Sequence, residues 1–519
     1  MVPRWSAPHG RIRWLRLACV VPAAAGLGTL APAAASAHSI TGRVDSPLPF
    51  VAYLAGAAIA VAGSFVVMAA SDPGPPKVGP PGRIRTVPRW VRLGLRAIGL
   101  VAWLWIVVQA LTGGSSDADV ASLFLWVYGW VGLALVSAFL GPVWSWLDPF
   151  TTIHDILAVI GRRLGLRGLE PQPWPQRLGL WVAVGGLTFF IWLELVARVL
   201  QGRPLALVLV GYTALTLLGM LQYGRDAWRA KAETFTVWFG ILGRLAPFAR
   251  VGTPESGEVV RRPITSGLIT GRWSREVVIM VALGTAAIIY DGLSQTRGFF
   301  DLFGFPSIAL GTILLGVFLG AITGLVLVVA RGVGLGAMGA GLLPVAMGYL
   351  IAHYLSFLLI DGQRILIALS DPFQQGWDLF GTAFMEPSTA WLPTGAMWSI
   401  QVGAVVIGHI VGAWAGHAVA RTDAATARSG GASSTARSTA GRGATSAARS
   451  TVGRSATTGG GATTGRGATT GRGRSEVRAQ LPLALLMVGL TTLTLWSLGQ
   501  NLVFEQTPER TVPTATSTP

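Results

Sequence analysis

Charged residues are scarce in this chain. Only 12% of its 519 residues are Asp, Glu, Lys or Arg, whereas a soluble domain carries about 25%. Hydrophobic residues make up 51%, and apolar stretches of about twenty residues, each long enough to cross a bilayer, recur along the chain. The shortage of charge excludes a soluble globular enzyme, a disordered protein and a coiled coil. The apolar stretches predict a polytopic membrane protein.

Cysteine and lysine are almost absent. The single cysteine, Cys19, lies in the N-terminal leader, so the chain without its leader can form no disulfide. Lys77 and Lys231 are the two lysines, and arginine carries the remaining positive charge. Together with the abundance of alanine and glycine, this bias indicates a bacterial genome rich in G and C.

Local catalytic motifs are also lacking. The chain contains no His-Glu-x-x-His, no Gly-x-Ser-x-Gly, no phosphate-binding loop and no cysteine pair. An enzyme stays open as a function class, because a site assembled from several helices leaves no local motif.

The N-terminus has the three parts of a secretory signal peptide over residues 1–37. A basic region and an apolar run precede the small residues Ala35-Ser36-Ala37, which predict cleavage after Ala37. His38 would then begin the mature protein, and a free amino group beside an imidazole is a good chelate for copper(II). His38 is therefore a candidate metal ligand. The alternative is that a histidine follows the cleavage site by chance.

The rest of the chain predicts an all-α integral membrane fold with ten transmembrane helices. Nine belong to a membrane body over residues 38–421, and the tenth covers 481–501. Every second loop is rich in arginine, which places those loops in the cytoplasm and both mature termini outside. The predicted location is the cytoplasmic membrane of a bacterium. The spans are centred on Ala58, Leu104, Val131, Leu187, Thr213, Thr285, Phe318, Leu350, Val406 and Val488.

Two segments lack the residues that build a core. The insert 422–480 has no aromatic residue and repeats Gly-Ala-Thr-Thr-Gly-Arg, so we expect it to be disordered in the cytoplasm, and the tail 502–519 to be disordered outside. The arginines of the insert could contact anionic lipid, or the insert could be a solvated spacer. No specific nucleic acid is expected as a partner.

Two cytoplasmic loops keep apolar residues at helical spacing. They cover residues 148–161 and 232–250, and both predict amphipathic helices that lie at the membrane interface.

The tripeptide Asp-Pro-Phe occurs twice, at 148–150 after span three and at 371–373 after span eight. These positions would correspond if the protein consisted of two five-helix halves of opposite topology, as in many secondary transporters. The alternative is that Asp-Pro is an ordinary way to start a helix.

Ionisable residues inside the spans are costly and are therefore site candidates. His353 in span eight and His409 in span nine lie on consecutive helices at similar depths, and they form the best functional pair. Asp361, just beyond the outer end of span eight, completes a predicted site for copper or zinc. Each residue has a structural alternative, since a transmembrane histidine can bond a neighbouring helix and Asp361 can be a solvated helix end.

A polar path past this pair is the broader prediction. Its further members are Tyr354, Gln363, His417, Glu194 and Asp291. His417 follows His409 by eight residues, too far along and around the helix to share one metal. Glu194 and Arg198, four residues apart, could neutralise each other.

Two spans carry glycine at every fourth position. Such spacing lets helix backbones approach closely, so we expect these glycines to serve packing. They are Gly316, Gly320 and Gly324 in span seven and Gly408, Gly412 and Gly416 in span nine.

Several stretches carry a family resemblance. They are Ala37-His38-Ser39-Ile40-Thr41-Gly42-Arg43 leading to Leu48-Pro49, Trp192-Leu193-Glu194-Leu195-Val196, Ala352-His353-Tyr354-Leu355-Ser356-Phe357-Leu358-Leu359, Asp371-Pro372-Phe373 through Trp377-Asp378-Leu379-Phe380-Gly381, and Gly408-His409-Ile410. Together they resemble a family of bacterial polytopic membrane proteins commonly labelled fenitrothion hydrolase. The label implies hydrolysis of organophosphate triesters. The long insert before span ten departs from the family.

Three hypotheses follow. The first is a transporter or metal-handling membrane protein that uses His38, His353 and His409 toward a small solute or metal ion. The second is a membrane-embedded phosphotriester hydrolase with a metal-bound water as nucleophile. The third is a membrane scaffold whose basic insert binds a partner.

Overall fold

The computed structural model describes residues 82–112, 120–165, 170–197, 202–253, 255–373, 375–443 and 469–498, with short pieces between 55 and 64. The predicted signal peptide, His38, most of span one, and the tail 502–519 lie outside the described residues. Residues 394, 424–443, 469–480 and 498 are described in backbone only.

Seven helices of the described chain are long and apolar enough to cross a membrane. They are α1 (Arg89–Thr112), α2 (Val120–Phe139), α6 (Gly202–Tyr223), α10 (Arg275–Ser294), α12 (Ile308–Val333), α13 (Leu335–Ile360) and α15 (Thr394–Gly443). Two shorter apolar segments, α5 (Trp181–Ala197) and the part Leu481–Ser497 of α16 (Thr469–Leu498), match the predicted spans four and ten. The chain is thus a multi-pass α-helical membrane protein, and the total of ten spans stays a prediction.

Shorter helices connect these spans. They are α3 (Trp144–Leu147), α4 (Pro149–Arg163), α7 (Arg225–Lys231), α8 (Thr234–Leu242), α9 (Ser266–Ile269), α11 (Arg297–Phe303) and α14 (Arg364–Ser370). Polar caps set several boundaries: Asp148 accepts from the backbone N–H of Phe150 and Thr151 at the start of α4, and Ser274 accepts from that of Val277 in α10. The single residue Gly334, at φ +91°, turns the chain from α12 into α13, a backbone conformation that favours glycine.

The loops predicted to be cytoplasmic also form a small antiparallel sheet, which the sequence analysis did not predict. Its strands are β1 (Ile84–Thr86), β2 (Phe248–Arg250) and β3 (Glu258–Arg261), in the order β1-β3-β2. Ile84 pairs with Val260, and Phe248 pairs with Arg261.

Helices α10 and α13 lie at the centre of the molecule. Most residues of α10 are buried, whereas α1 and α12 expose apolar side chains along much of their length. In a membrane protein such exposed apolar surfaces face lipid. The central helices therefore hold the positions that lipid does not reach.

The prediction of an interfacial helix fits one of the two loops and is wrong for the other. Helix α4 leaves Ile156, Leu157 and Ile160 exposed, as an amphipathic interfacial helix would. Helix α8, within 232–250, is buried instead: Trp238 packs against Gly284 in the middle of α10. Because α8 is apolar on all sides, it favours the interior over an interface.

The two glycine stripes also differ. On α15, a side chain at Gly408, Gly412 or Gly416 would meet the backbone of α13, so the predicted close packing is confirmed there. The stripe on α12 is different. A Cβ added at any of its three glycines meets no described atom within 4 Å, so the prediction of close packing is wrong for Gly316, Gly320 and Gly324 within the described part of the chain.

The helices on both sides of the predicted insert 422–480 extend into it. Helix α15 continues past Arg421 to Gly443, and α16 begins at Thr469. Residues 444–468 lie outside the described residues, and their predicted disorder stays a prediction.

Candidate functional site

The central feature of the site is a close contact between a carboxylate and an imidazole on two transmembrane helices. Asp291 lies one turn before the end of α10, and its Oδ2 is 2.8 Å from Nε2 of His353 on α13. The side chains are only 15% and 12% exposed. Burying a carboxylate is costly unless it is paired, so His353 is the group that allows Asp291 to lie here.

Two further donors complete the surroundings of Asp291. The Tyr354 hydroxyl donates to Oδ2 at 3.1 Å, and the Gln295 amide donates to Oδ1 at 2.7 Å. His353 and Tyr354 are consecutive on α13, and their rings are nearly perpendicular with centroids 4.6 Å apart. The predicted path members Asp291 and Tyr354 therefore join the predicted ligand His353 in one cluster.

Glu194 approaches the same cluster from α5. It is half-buried and close enough to Asp291 and Tyr354 for their charges to interact. Arg198, the predicted neutralising neighbour of Glu194, lies outside the described residues. Glu194 thus brings a second carboxyl group close to that of Asp291, which has His353 as its partner.

His409 lies in a second, neutral setting on α15. It is fully buried, and its Nδ1 donates to the Val405 carbonyl at 2.7 Å, since a carbonyl can only accept. Nε2 faces the hydroxyls of Thr491 at 2.5 Å and Tyr349 at 3.3 Å. Both ring nitrogens are therefore engaged, and a metal could bind only by breaking one of these contacts.

Hydroxyl groups lie in the region between the two histidines. Tyr349 precedes His353 by one turn on α13, so both face the same side of that helix. On α16, Thr491, Thr494 and Ser497 recur every third residue. Thr494 interacts with the Tyr349 hydroxyl. Ser497 and the His353 ring both lie beside Gly292. The result is a polar file from Asp291 to His409 in an otherwise apolar core.

The sequence analysis missed the hydroxyls of this file. Their spacing of three residues within a transmembrane span was the available signal, because such residues fall near one face of a helix. It was hidden by the frequency of Thr and Ser, which can also bond their own helix, as Thr491 does to the Met487 carbonyl at 2.7 Å.

The other predicted site residues lie apart from the cluster. Asp361 pairs with Arg364 at 3.1 Å in a well-exposed position, and Gln363 holds the loop at Ser388 through both of its amide atoms. His417 is buried two turns beyond His409 on α15. Among the described residues, no group of three or more His, Cys, Asp or Glu side chains could hold a metal ion.

A second buried charged cluster lies toward the predicted cytoplasmic side. Arg229 on α7 pairs with Asp148 at 2.9 Å, with side chains 4% and 0% exposed. Glu233 caps α8 by accepting from the backbone N–H of Phe235 and Thr236. It also accepts from the Tyr212 hydroxyl at 2.5 Å. This cluster was absent from the sequence prediction because its members come from separate loops.

The two Asp-Pro-Phe tripeptides have different local structures. Asp148 begins a helix, whereas Asp371 accepts from the backbone N–H of Gln375 and Gly376 in a turn. The proposed inverted repeat stays a prediction.

The site has the chemistry of proton exchange. A carboxylate bonded to an imidazole can take up or release a proton, and hydroxyls can pass one onward.

The chain matches no protein-family model, no curated protein and no solved structure.

Proposed function

We propose that this protein is a proton-coupled transporter of the cytoplasmic membrane, and that Asp291 and His353 form its proton-binding site. The observation that carries the proposal is the 2.8 Å contact between these two side chains within the central helices. Intramembrane ionisable residues are rare, and they mark ion pathways and proton relays.

The pair can exist in two charge states. With His353 protonated, Asp291 and His353 form an ion pair beside the carboxyl group of Glu194. With one proton fewer or more, the cluster changes its net charge, and the helices α10, α13 and α5 that carry it experience a different attraction. Such a change is what couples proton binding to helix movement in a two-state transporter.

The polar file gives the proton a direction. Tyr349, Thr494 and Thr491 lead from His353 toward His409, deeper along α15. In this proposal His409 stays neutral, with its proton on Nδ1, and its Nε2 accepts a hydrogen bond at the inner end of the file.

Metal handling and phosphotriester hydrolysis remain as alternatives with their own outcomes. Both need a metal site, for which His38, His353, His409 and Asp361 are the predicted ligands. Copper or zinc near one equivalent in purified protein, lost from a His353→Ala/His409→Ala variant, would favour them over proton transport. Release of nitrophenol from a phosphotriester would then distinguish hydrolysis. Loss of metal only when the N-terminus is masked would identify His38.

The scaffold hypothesis is tested by deletion. Removing residues 422–478 should leave proton transport intact if the membrane body carries the function. Loss of function with a folded membrane body would favour the scaffold.

The direct test is proton flux in proteoliposomes that contain a trapped pH-sensitive dye, under an imposed membrane potential. We expect flux above that of protein-free liposomes. His353→Gln should lower it at least about a hundredfold, the lower range for a positioned proton-transfer group. His154→Gln is the matched control, because His154 lies on α4 near Asp155, outside the cluster. Equal flux in all three proteins would overturn the proposal.

A further inference from the structure

Two arginines converge, without a carboxylate, where α8 ends and α10 begins. Arg244 follows α8, and Arg262 follows β3. Both are partly buried, and none of the ion pairs of the described residues includes either of them. Charged side chains are seldom buried without a counter-charge, so this pair requires an explanation.

Backbone carbonyls hold both guanidinium groups in place. Arg262 donates to the carbonyls of Gly243 at 2.7 Å and Ala246 at 3.2 Å. Arg244 donates to the carbonyl of Arg272 at 3.0 Å, and its guanidinium lies 4.2 Å from the centroid of the Trp273 ring. Carbonyls and an indole orient a positive charge, but they do not neutralise it. The two groups are therefore fixed in position and still in need of an anion.

Two glycines make the approach of the arginines possible. Gly267 lies against the Arg262 guanidinium, and Gly271 lies against that of Arg244. Gly271 follows the short helix α9 that holds Gly267, and the charges of the two guanidinium groups are close enough to interact.

The electrostatic surroundings point the same way. Burial and the charge of Arg262 lower the pKa of Arg244 to about 10, and burial lowers the pKa of Arg262. The neighbouring Arg272 and Arg275 are exposed and add positive charge. An anion placed between the pair would relieve this repulsion.

We propose that Arg244 and Arg262 form a binding site for a phosphate group on the arginine-rich face of the protein. The planar guanidinium group matches the geometry of phosphate oxygens and binds them in a bidentate manner. The site lies at the end of a transmembrane helix, with Trp273 beside it and the exposed Ile264 two residues from Arg262. The headgroup of an anionic phospholipid and free phosphate share this chemistry.

The test uses the full-length protein purified in detergent and two probes, phosphatidylglycerol and inorganic phosphate. Native mass spectrometry measures how much phosphatidylglycerol each protein retains relative to phosphatidylcholine, and thermal unfolding measures stabilisation by each probe. The variants are Arg244→Gln and Arg262→Gln. The matched control is Arg85→Gln, which removes an exposed arginine of β1 and changes the net charge equally.

We expect wild type and R85Q to bind equally and each site variant to bind about tenfold more weakly, as the loss of a bidentate contact implies. Binding of phosphatidylglycerol but not phosphate identifies a lipid site, and binding of both identifies a site for the phosphate group itself. If a glutamine variant fails to fold, R244K/R262K keeps the charge and removes the bidentate geometry. Equal binding by wild type and R244K/R262K, or binding of neither probe by wild type, would overturn the proposal.

Discussion

Two buried carboxylates in this protein have partners of different kinds. Asp291 pairs with His353, and an imidazole can exist in a neutral and a charged form. Asp148 pairs with Arg229, whose charge is permanent. Both pairs join helices at distances below 3 Å. The Asp148–Arg229 pair is therefore suited to hold structure over a wide pH range, while the Asp291–His353 pair is suited to change its charge during function.

The helix-capping roles of Asp148 and Glu233, in the cluster around Arg229, support this distinction. Asp148 starts α4 and Glu233 starts α8, so both carboxylates serve helix N-termini, where negative charge is favourable. Asp291 lies near the C-terminal end of α10, where a negative charge is unfavourable. Its position therefore depends on His353, Tyr354 and Gln295 rather than on the helix.

The largest effect is expected from Arg229→Leu. The change leaves Asp148 and Glu233 buried without a cation, and removing one member of a buried pair costs about 3–5 kcal/mol. Thermal unfolding in detergent, followed by tryptophan fluorescence, measures the loss. Arg85→Leu serves as the exposed control and should unfold near the wild-type temperature. Equal unfolding temperatures for R229L and R85L would contradict a structural role.

Arg229→His would give Asp148 the same kind of partner that Asp291 has in His353. The carboxylates around the introduced imidazole favour its charged form, so its pKa in the folded protein lies above the unfolded value of about 6.5. The stabilisation is therefore complete below about pH 6.5 and is lost as the pH rises through the folded-state pKa. Thermal unfolding across this range should fall with pH in R229H and not in wild type. A stability of R229H that does not change with pH would contradict the proposed difference between an arginine and a histidine as the partner of a buried carboxylate.

Asp291→Asn should cost less than R229L. The amide keeps an acceptor oxygen for one donor, and His353 can become neutral, so the expected loss is about 1–3 kcal/mol. The same unfolding assay compares the two variants. Greater destabilisation by D291N than by R229L would contradict the claim that the Asp148–Arg229 pair contributes more to stability than the Asp291–His353 pair.

The smallest effect concerns the half-buried ion pairs of Asp155. Burial raises the pKa of Asp155, but the hydrogen bonds from His154 and Arg96 and the charge of Arg225 outweigh burial, and the pKa lies well below its ordinary value. Because the folded-state pKa is lowered, the stabilisation is present above the unfolded pKa of about 3.9 and is lost as the pH falls below it. Asp155→Asn should therefore flatten the acid side of the stability profile. An unchanged acid slope would show that Asp155 contributes nothing.

Much of the fold could be predicted from the sequence, because transmembrane spans depend on local composition. Each predicted span from the second to the tenth coincides with a helix. The glycine stripes show the limit of that reasoning. Gly412 and Gly320 have the same spacing in their spans, yet among the described residues a side chain at Gly412 would meet the backbone of α13 and one at Gly320 would meet nothing within 4 Å. Spacing states what a helix face permits, and the tertiary arrangement decides which face is used.

The candidate site was predictable only as a set of separate residues. His353 and Asp291 are costly in a membrane, so each could be found alone. Their pairing joins residues 62 positions apart, and no local pattern encodes it. Helix α8 was misplaced for a related reason: the apolar residues of 232–250 are compatible with an interface or an interior, and contact with α10 decides between them.

The central claim is that His353 changes its charge in the membrane while His409 does not. Solid-state NMR of protein labelled with ¹⁵N-histidine in liposomes tests it directly, because the chain has six histidines and variants such as His353→Gln and His409→Asn assign the signals. Between about pH 5 and 8, we expect the His353 signal to move between the neutral and the charged form, while His409 stays neutral with its proton on Nδ1. A His353 signal that stays in one form throughout this range would contradict the account.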